Sequence, residues 1–294
     1  MTARIGTVRS IAGSAVLVLA CLLAQAGIGR AGTTGNPVSM DVGMSVPGSP
    51  GTTALDLLRQ ILPDLVLEAG KASGTLPEHL RSLTRPEPGE RASQSVAVSA
   101  VQALHFDAEG HEMLAILADL GSDEDEARTL LAVFEPRPAP RLVDAAALEM
   151  DRFTGFSEPA RLDIGRRDQA LVIRSEHFNS SQSYVTTALV FLRKGHLEMV
   201  DTFFTFGTRY CGWEEAQTLG FGTRPAAPGS PYRSIVARVT DRRTSTEPAC
   251  EGERRPKPFR RVVETSYRWD ARLARFRPRS DALKGLEAAA EQRF

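Results

Sequence analysis

Glu176-His177-Phe178-Asn179-Ser180-Ser181-Gln182-Ser183-Tyr184 is the stretch of this chain richest in groups that do chemistry. It holds an acid, an imidazole base, an amide and several hydroxyls. Nucleophilic hydrolysis needs a hydroxyl in reach of a base, an acid orienting that base, and donors for the oxyanion. Local spacing does not supply this. Neighbours on a strand point to opposite faces, so Glu176 cannot orient His177. No GxSxG elbow exposes a serine. A hydrolase would have to use His177 with Ser180 or Ser181 and a distant acid such as Asp201. The simpler expectation is a hairpin tip whose side chains satisfy its own backbone.

The remaining histidines, His79, His105, His111 and His196, form no HxH, HExxH or Cys–His spacing. His105, Asp107, Glu109, His111 and Glu112 crowd one expected turn, where oxygen ligands suit a weakly held Ca²⁺. The EF-hand pattern is absent, so a solvated acidic turn is expected, with no metal site and no cofactor. Without GxGxxG or GxxxxGK[ST], nucleotide and phosphoryl chemistry have no support.

Basic residues concentrate between Arg224 and Arg279, and acidic ones between Asp107 and Glu126. Arg238, Arg260 and Arg268 fall on the polar side of alternating strand patterns. Together with Asn179 they are the binding candidates, suited to lipid phosphates, lipopolysaccharide or an acidic protein. The competing reading is that they are ordinary solvated faces, neutralised by the acidic stretch. The whole chain carries 36 basic and 36 acidic residues, so it has no global polyanion-binding signal.

The N-terminus bears on all of this. Arg4 and Arg9 precede an uncharged apolar run from Ile11 to Leu23, and Ala24-Gln25-Ala26 follows as a small-x-small cleavage site. That is the layout of a secretory signal peptide over 1–26, too short in its apolar part for a transmembrane anchor. The expected location is periplasmic or secreted, which removes nucleic acid as a partner. Val18-Leu19-Ala20-Cys21 is an alternative lipobox, in which Cys21 becomes a lipidated membrane tether. Cleavage after Ala26 removes Cys21 and leaves Cys211 and Cys250, an even count that suggests a bridge in an oxidising compartment.

The elements that must position these groups read as follows. Residues 27–52 look like a flexible spacer. Thr53-Ala54-Leu55-Asp56 opens a helical segment over 53–74 with a capping box, interrupted at Pro63. A polar connector covers 75–94. From 95 to 279, short apolar runs separated by turn signals indicate strands. A three-stranded meander from Gln169 to Phe206 is the clearest part, and Phe259 to Trp269 has an apolar face (Phe259, Val263, Thr265, Tyr267, Trp269) and a wet one (Arg260, Glu264, Ser266, Arg268). Residues 112–120 are rich in helix formers, yet the turn spacing around them favours a strand. A short helix covers 280–294, with Ser280 as its cap. The expected fold is mainly β: an antiparallel meander forming a curved sheet, sandwich or partly closed barrel. The expected role is a non-catalytic cell-envelope domain that binds a protein or small ligand.

Overall fold

The structure, a computed structural model, describes residues 35–84, 94–123, 126–137, 139–151, 153–246 and 256–291. The signal region, the lipobox with Cys21, and Cys250 lie outside the described residues.

In chain order the elements are β1 (Val38–Met40), α1 (Ala54–Leu58), β2 (Val66–Glu68), β3 (Lys71–Leu76), β4 (Gln94–Val98), β5 (Ala100–Ala108), β6 (His111–Asp123), β7 (Glu126–Glu135) and β8 (Arg141–Met150). They continue as β9 (Gly155–Asp163), β10 (Gln169–Phe178), β11 (Gln182–Arg193), β12 (His196–Tyr210), β13 (Trp213–Arg224), β14 (Ser234–Ser245), β15 (Phe259–Asp270), β16 (Arg275–Pro278) and α2 (Ala282–Glu291). The fold is mainly β and antiparallel, and it is not closed into a barrel. One sheet has the order β1-β5-β6-β7-β8, a second runs β9 to β16 in chain order, and β2-β3-β4 form a third.

Three apolar layers hold the domain together. Leu57, Leu58, Leu62 and Leu65 pack with Ile116, Leu130 and Phe134 on one face of the first sheet. The other face, through Leu104, Leu117 and Leu131, meets Ile173, Val190 and Leu192 of the second sheet. The second sheet then folds back on itself. β12 pairs with β13 only from Gly207 to Tyr210, so the two strands part, and Phe191 and Phe203 meet Tyr232, Tyr267 and Phe276. Edge-to-face rings dominate that layer, Phe191 lying 5.4 Å from Phe276 and 5.7 Å from Tyr232. Burial of Tyr232 pushes its phenol up to about 12.

Several expectations hold. Residues 112–120 lie within β6, and the Asp107–Gly110 turn joins β5 to β6. β11 is buried on both faces from Ala188 to Leu192. The capping box at Thr53 and Asp56 is present. Three expectations need correction. The described part of the supposed spacer is packed: Met40, Val42 and Val46 are buried, and β1 pairs with β5. Val42 and Val46 are buried from turns rather than from a strand, so no periodicity in this Gly- and Pro-rich stretch announces them. The helical segment ends early, since α1 stops at Leu58 and β2 and β3 follow. Pro63 lacks the N–H a longer helix needs, and Ala69 and Gly70, at φ 49° and 81°, form a hairpin turn where that helix would have run. The connector is not free either, for Leu83 N–H donates to the Ala147 carbonyl and Ala147 N–H to that of Arg81, covering the edge of β8. Ser280, expected as the cap of α2, has its hydroxyl 3.0 Å from that of Thr265.

Candidate functional site

The β10–β11 turn uses up most of the chemistry the sequence places there. Asn179 Oδ1 accepts the N–H groups of Ser181 and Gln182 at 3.1 and 2.9 Å, and Asn179 N–H donates to the Gln182 carbonyl. This is an Asx turn satisfying its own backbone. Asn179 is therefore structural, and Ser180 and Ser181 sit exposed on the turn. His177 lies opposite Tyr184 in the register, and its ring packs edge-on against that tyrosine at 6.2 Å. Its Nδ1 is 3.1 Å from Asp151 Oδ2. Asp151, in the β8–β9 loop, is the acid that spacing could not identify, because 26 residues separate the two in the chain.

Asp201 does not join this group. It lies opposite Leu189, and His177 lies opposite Tyr184; five residues along β11 separate the two points by about 17 Å. Asp201 instead accepts the Tyr267 hydroxyl at 2.6 Å. Burial, and then that hydrogen bond, push the Tyr267 phenol far above its ordinary range. The structure thus brings together a base and an orienting acid, and no serine hydroxyl bonds to His177 among the described residues.

The three binding arginines share one face, spread along it, with Arg260 and Arg268 about 26 Å apart on one strand. Alternation along β14 and β15 puts Arg238, Arg260 and Arg268 on the outer, solvent face of the folded-back half-sheet. Register adds more. Arg242 stands directly opposite Arg260, and Arg268 directly opposite Arg277. Arg224 and Arg238 share one carboxylate, Glu264, at 2.6 and 2.7 Å. The Arg238 hydrogen bond, with Arg224 beside it, holds the Glu264 carboxyl below its usual range. Arg242 and Arg260 have no carboxylate partner among the described residues. Like charges directly opposite on a sheet destabilise it, so this face carries uncompensated positive charge.

The inner face of this half-sheet also holds charges, which sequence reasoning did not single out. Glu215, 1% exposed, is paired with Arg243 at 2.6 Å, and Arg243 lies over the Trp213 and Phe259 rings at 5.1 and 4.8 Å. Asp241, fully buried, pairs with Arg261 at 2.7 Å. The signal was available: Arg243 and Arg261 share strand parity with the inward Val239, Val263 and Tyr267. These pairs are structural, and removing either arginine would strand a buried carboxylate.

The acidic β5–β6 turn is likewise structural. Glu109 accepts the N–H groups of Lys194 and Gly195, tying two turns together, and His105 Nε2 lies 2.9 Å from the Pro47 carbonyl. No cluster able to hold a metal ion occurs among the described residues. At that end two adjoining grooves, of about 810 and 540 Å³, share Asp163, Gln169, Thr223 and Arg233. Their walls mix Arg166, Arg167 and Arg233 with Asp107, Asp163 and Asp168, so neither sign of charge dominates.

Cys211 is disulfide-bonded; Cys250 lies outside the described residues, so no pair stands among them. No helix among the described residues is long and apolar enough to cross a membrane. Comparison with protein-family models, with curated proteins and with solved structures finds no match to this chain.

Proposed function

We propose that this chain is an exported, non-catalytic binding domain of a bacterial cell envelope, and that its arginine-bearing outer sheet face takes an anionic partner. The observation that carries this is that arginines stand directly opposite one another across the strands, Arg242 with Arg260 and Arg268 with Arg277, on one exposed surface. A fold that keeps like charges opposite one another gives up stability for a field that attracts anions. Export rests on the tripartite N-terminus, and it motivates a bridge from Cys211, in the β12–β13 turn, to Cys250.

The test is binding of inorganic polyphosphate as a salt series. Wild-type protein is expected to bind with an affinity that falls steeply with ionic strength, and the triple change Arg238→Ser, Arg260→Ser, Arg268→Ser to weaken it about tenfold or more. No saturable binding at about 50 mM salt, where the Debye length is near 14 Å, would sink the proposal.

The Asp151–His177 contact favours a second reading, an exported hydrolase using His177 with Ser180 or Ser181. Turnover of activated esters that His177→Ala abolishes would support it. Turnover that is absent, or unchanged in that variant, dismisses it.

A further inference from the structure

The large exposed aromatic residues gather at one end of the second sheet. The β8–β9, β10–β11, β12–β13 and β14–β15 connections all lie there, because successive strands reverse direction. Phe153 is 72% exposed and Phe178 64% exposed, and their rings stack with centroids 6.1 Å apart. Tyr210, 49% exposed, stacks on Trp213 at 4.6 Å. The Arg209 N–H donates to the Ser181 carbonyl, tying the two turns into one rim. Phe153 sits at φ 57°, in the left-handed region that a bulky side chain enters only against strain. Among the described residues only the Phe178 ring stacks on it, and it stays 72% exposed.

We infer that this end docks on an anionic lipid surface, with Phe153, Phe178 and Tyr210 entering the boundary between headgroups and acyl chains, and with Arg242, Arg260 and Lys257 meeting headgroup phosphates. The inference rests on the reading of the arginine face and names its partner. Two observations favour lipid over a protein. The aromatic rings stand on separate turns and project outward, as side chains that anchor in a membrane interface do. The Arg242–Arg260 contact lies near the same end of β14 and β15, one residue beyond Arg243 and Phe259 in the register.

The chain has two tryptophans, Trp213 at this rim and Trp269 in the core, so Trp269→Phe leaves a single local reporter. The full chain carrying that change is mixed with phosphatidylcholine vesicles containing about 30 mol% phosphatidylglycerol, with and without brominated acyl chains. Trp213 emission is expected to shift blue and to be quenched by the brominated lipid. Because the signal is local to the rim, the apolar run near the N-terminus does not mimic it. Adding Phe153→Ser and Phe178→Ser is expected to weaken the response about tenfold or more, with the melting temperature retained. Adding Arg242→Ser and Arg260→Ser instead is expected to remove the preference for anionic over purely zwitterionic vesicles. Unquenched Trp213, or a response unchanged by the phenylalanine changes, overturns the inference. Polyphosphate or polyglutamate binding without any vesicle response overturns it while leaving the arginine-face reading intact, polyglutamate then pointing to an acidic protein. Binding to none of the three overturns both.

Discussion

Replacing Arg260 by Glu turns a repulsive cross-strand contact with Arg242 into an attractive one without touching the core. Opposite charges directly across an antiparallel pair contribute about 0.2–1 kcal/mol, and like charges cost a similar amount. Both side chains are exposed, so screening keeps the swing to about 0.5–1 kcal/mol. For a domain of this size 1 kcal/mol moves the melting temperature by about 2–4 °C. Arg260→Glu should therefore melt about 1–4 °C above wild type in low salt, and Arg260→Gln should fall between the two. In about 1 M salt, where the Debye length is near 3 Å, the gain should largely disappear. The same variant should bind polyphosphate more weakly, so stability and binding move in opposite directions. An Arg260→Glu protein that melts at or below wild type in low salt, or whose gain survives high salt, refutes the reasoning.

Other expectations follow from particular contacts. Tyr267→Phe removes a buried hydroxyl from Asp201 and should cost about 1–2 kcal/mol in urea denaturation. Phe191→Ala opens a cavity among Tyr232, Trp269 and Phe276 and should cost about 3–5 kcal/mol by the same measure. Reduction with dithiothreitol should destabilise the protein, by up to about 4 kcal/mol if Cys211 and Cys250 close their loop of about 40 residues; an unchanged melting curve argues against that bridge. Glu264 has a carboxyl pKa below its unfolded value of 4.5, so its contribution to stability is present above that pH and lost as pH falls through the lower folded value. Glu264→Gln should flatten that acid limb of the melting curve and, by freeing Arg224 and Arg238, strengthen polyphosphate binding. A steeper acid limb, or weaker binding, would contradict the assignment.

Strands were legible wherever one face is wet. β15 could be read because Phe259, Val263, Tyr267 and Trp269 alternate with Arg260, Glu264 and Arg268. β6 could be read only through its turns, because Met113 to Leu120 carries helix formers that pairing on both sides overrides. β2 and β3 were missed because one-faced leucines around Pro63 resemble a helix when the hairpin turn at Ala69 and Gly70 is overlooked. At the candidate site, the face of each arginine followed from strand parity, while its neighbours did not. That Arg242 meets Arg260, or that Asp151 meets His177, depends on register and on a loop between sheets, which a single sequence does not encode locally.

Eight strands from β9 to β16 stand side by side in the order in which they are synthesised. Each therefore finds its partner one connection away, and most of those connections are short. A β protein of this kind escapes much of the kinetic delay that long-range pairing imposes. The sheet can lengthen hairpin by hairpin as the chain emerges, with β16 and α2 arriving last and bringing Phe276 and Leu283 to the layer that holds Tyr267. Until they do, the aromatic interior lies open to water, and that is the interval in which the growing chain is most exposed to aggregation.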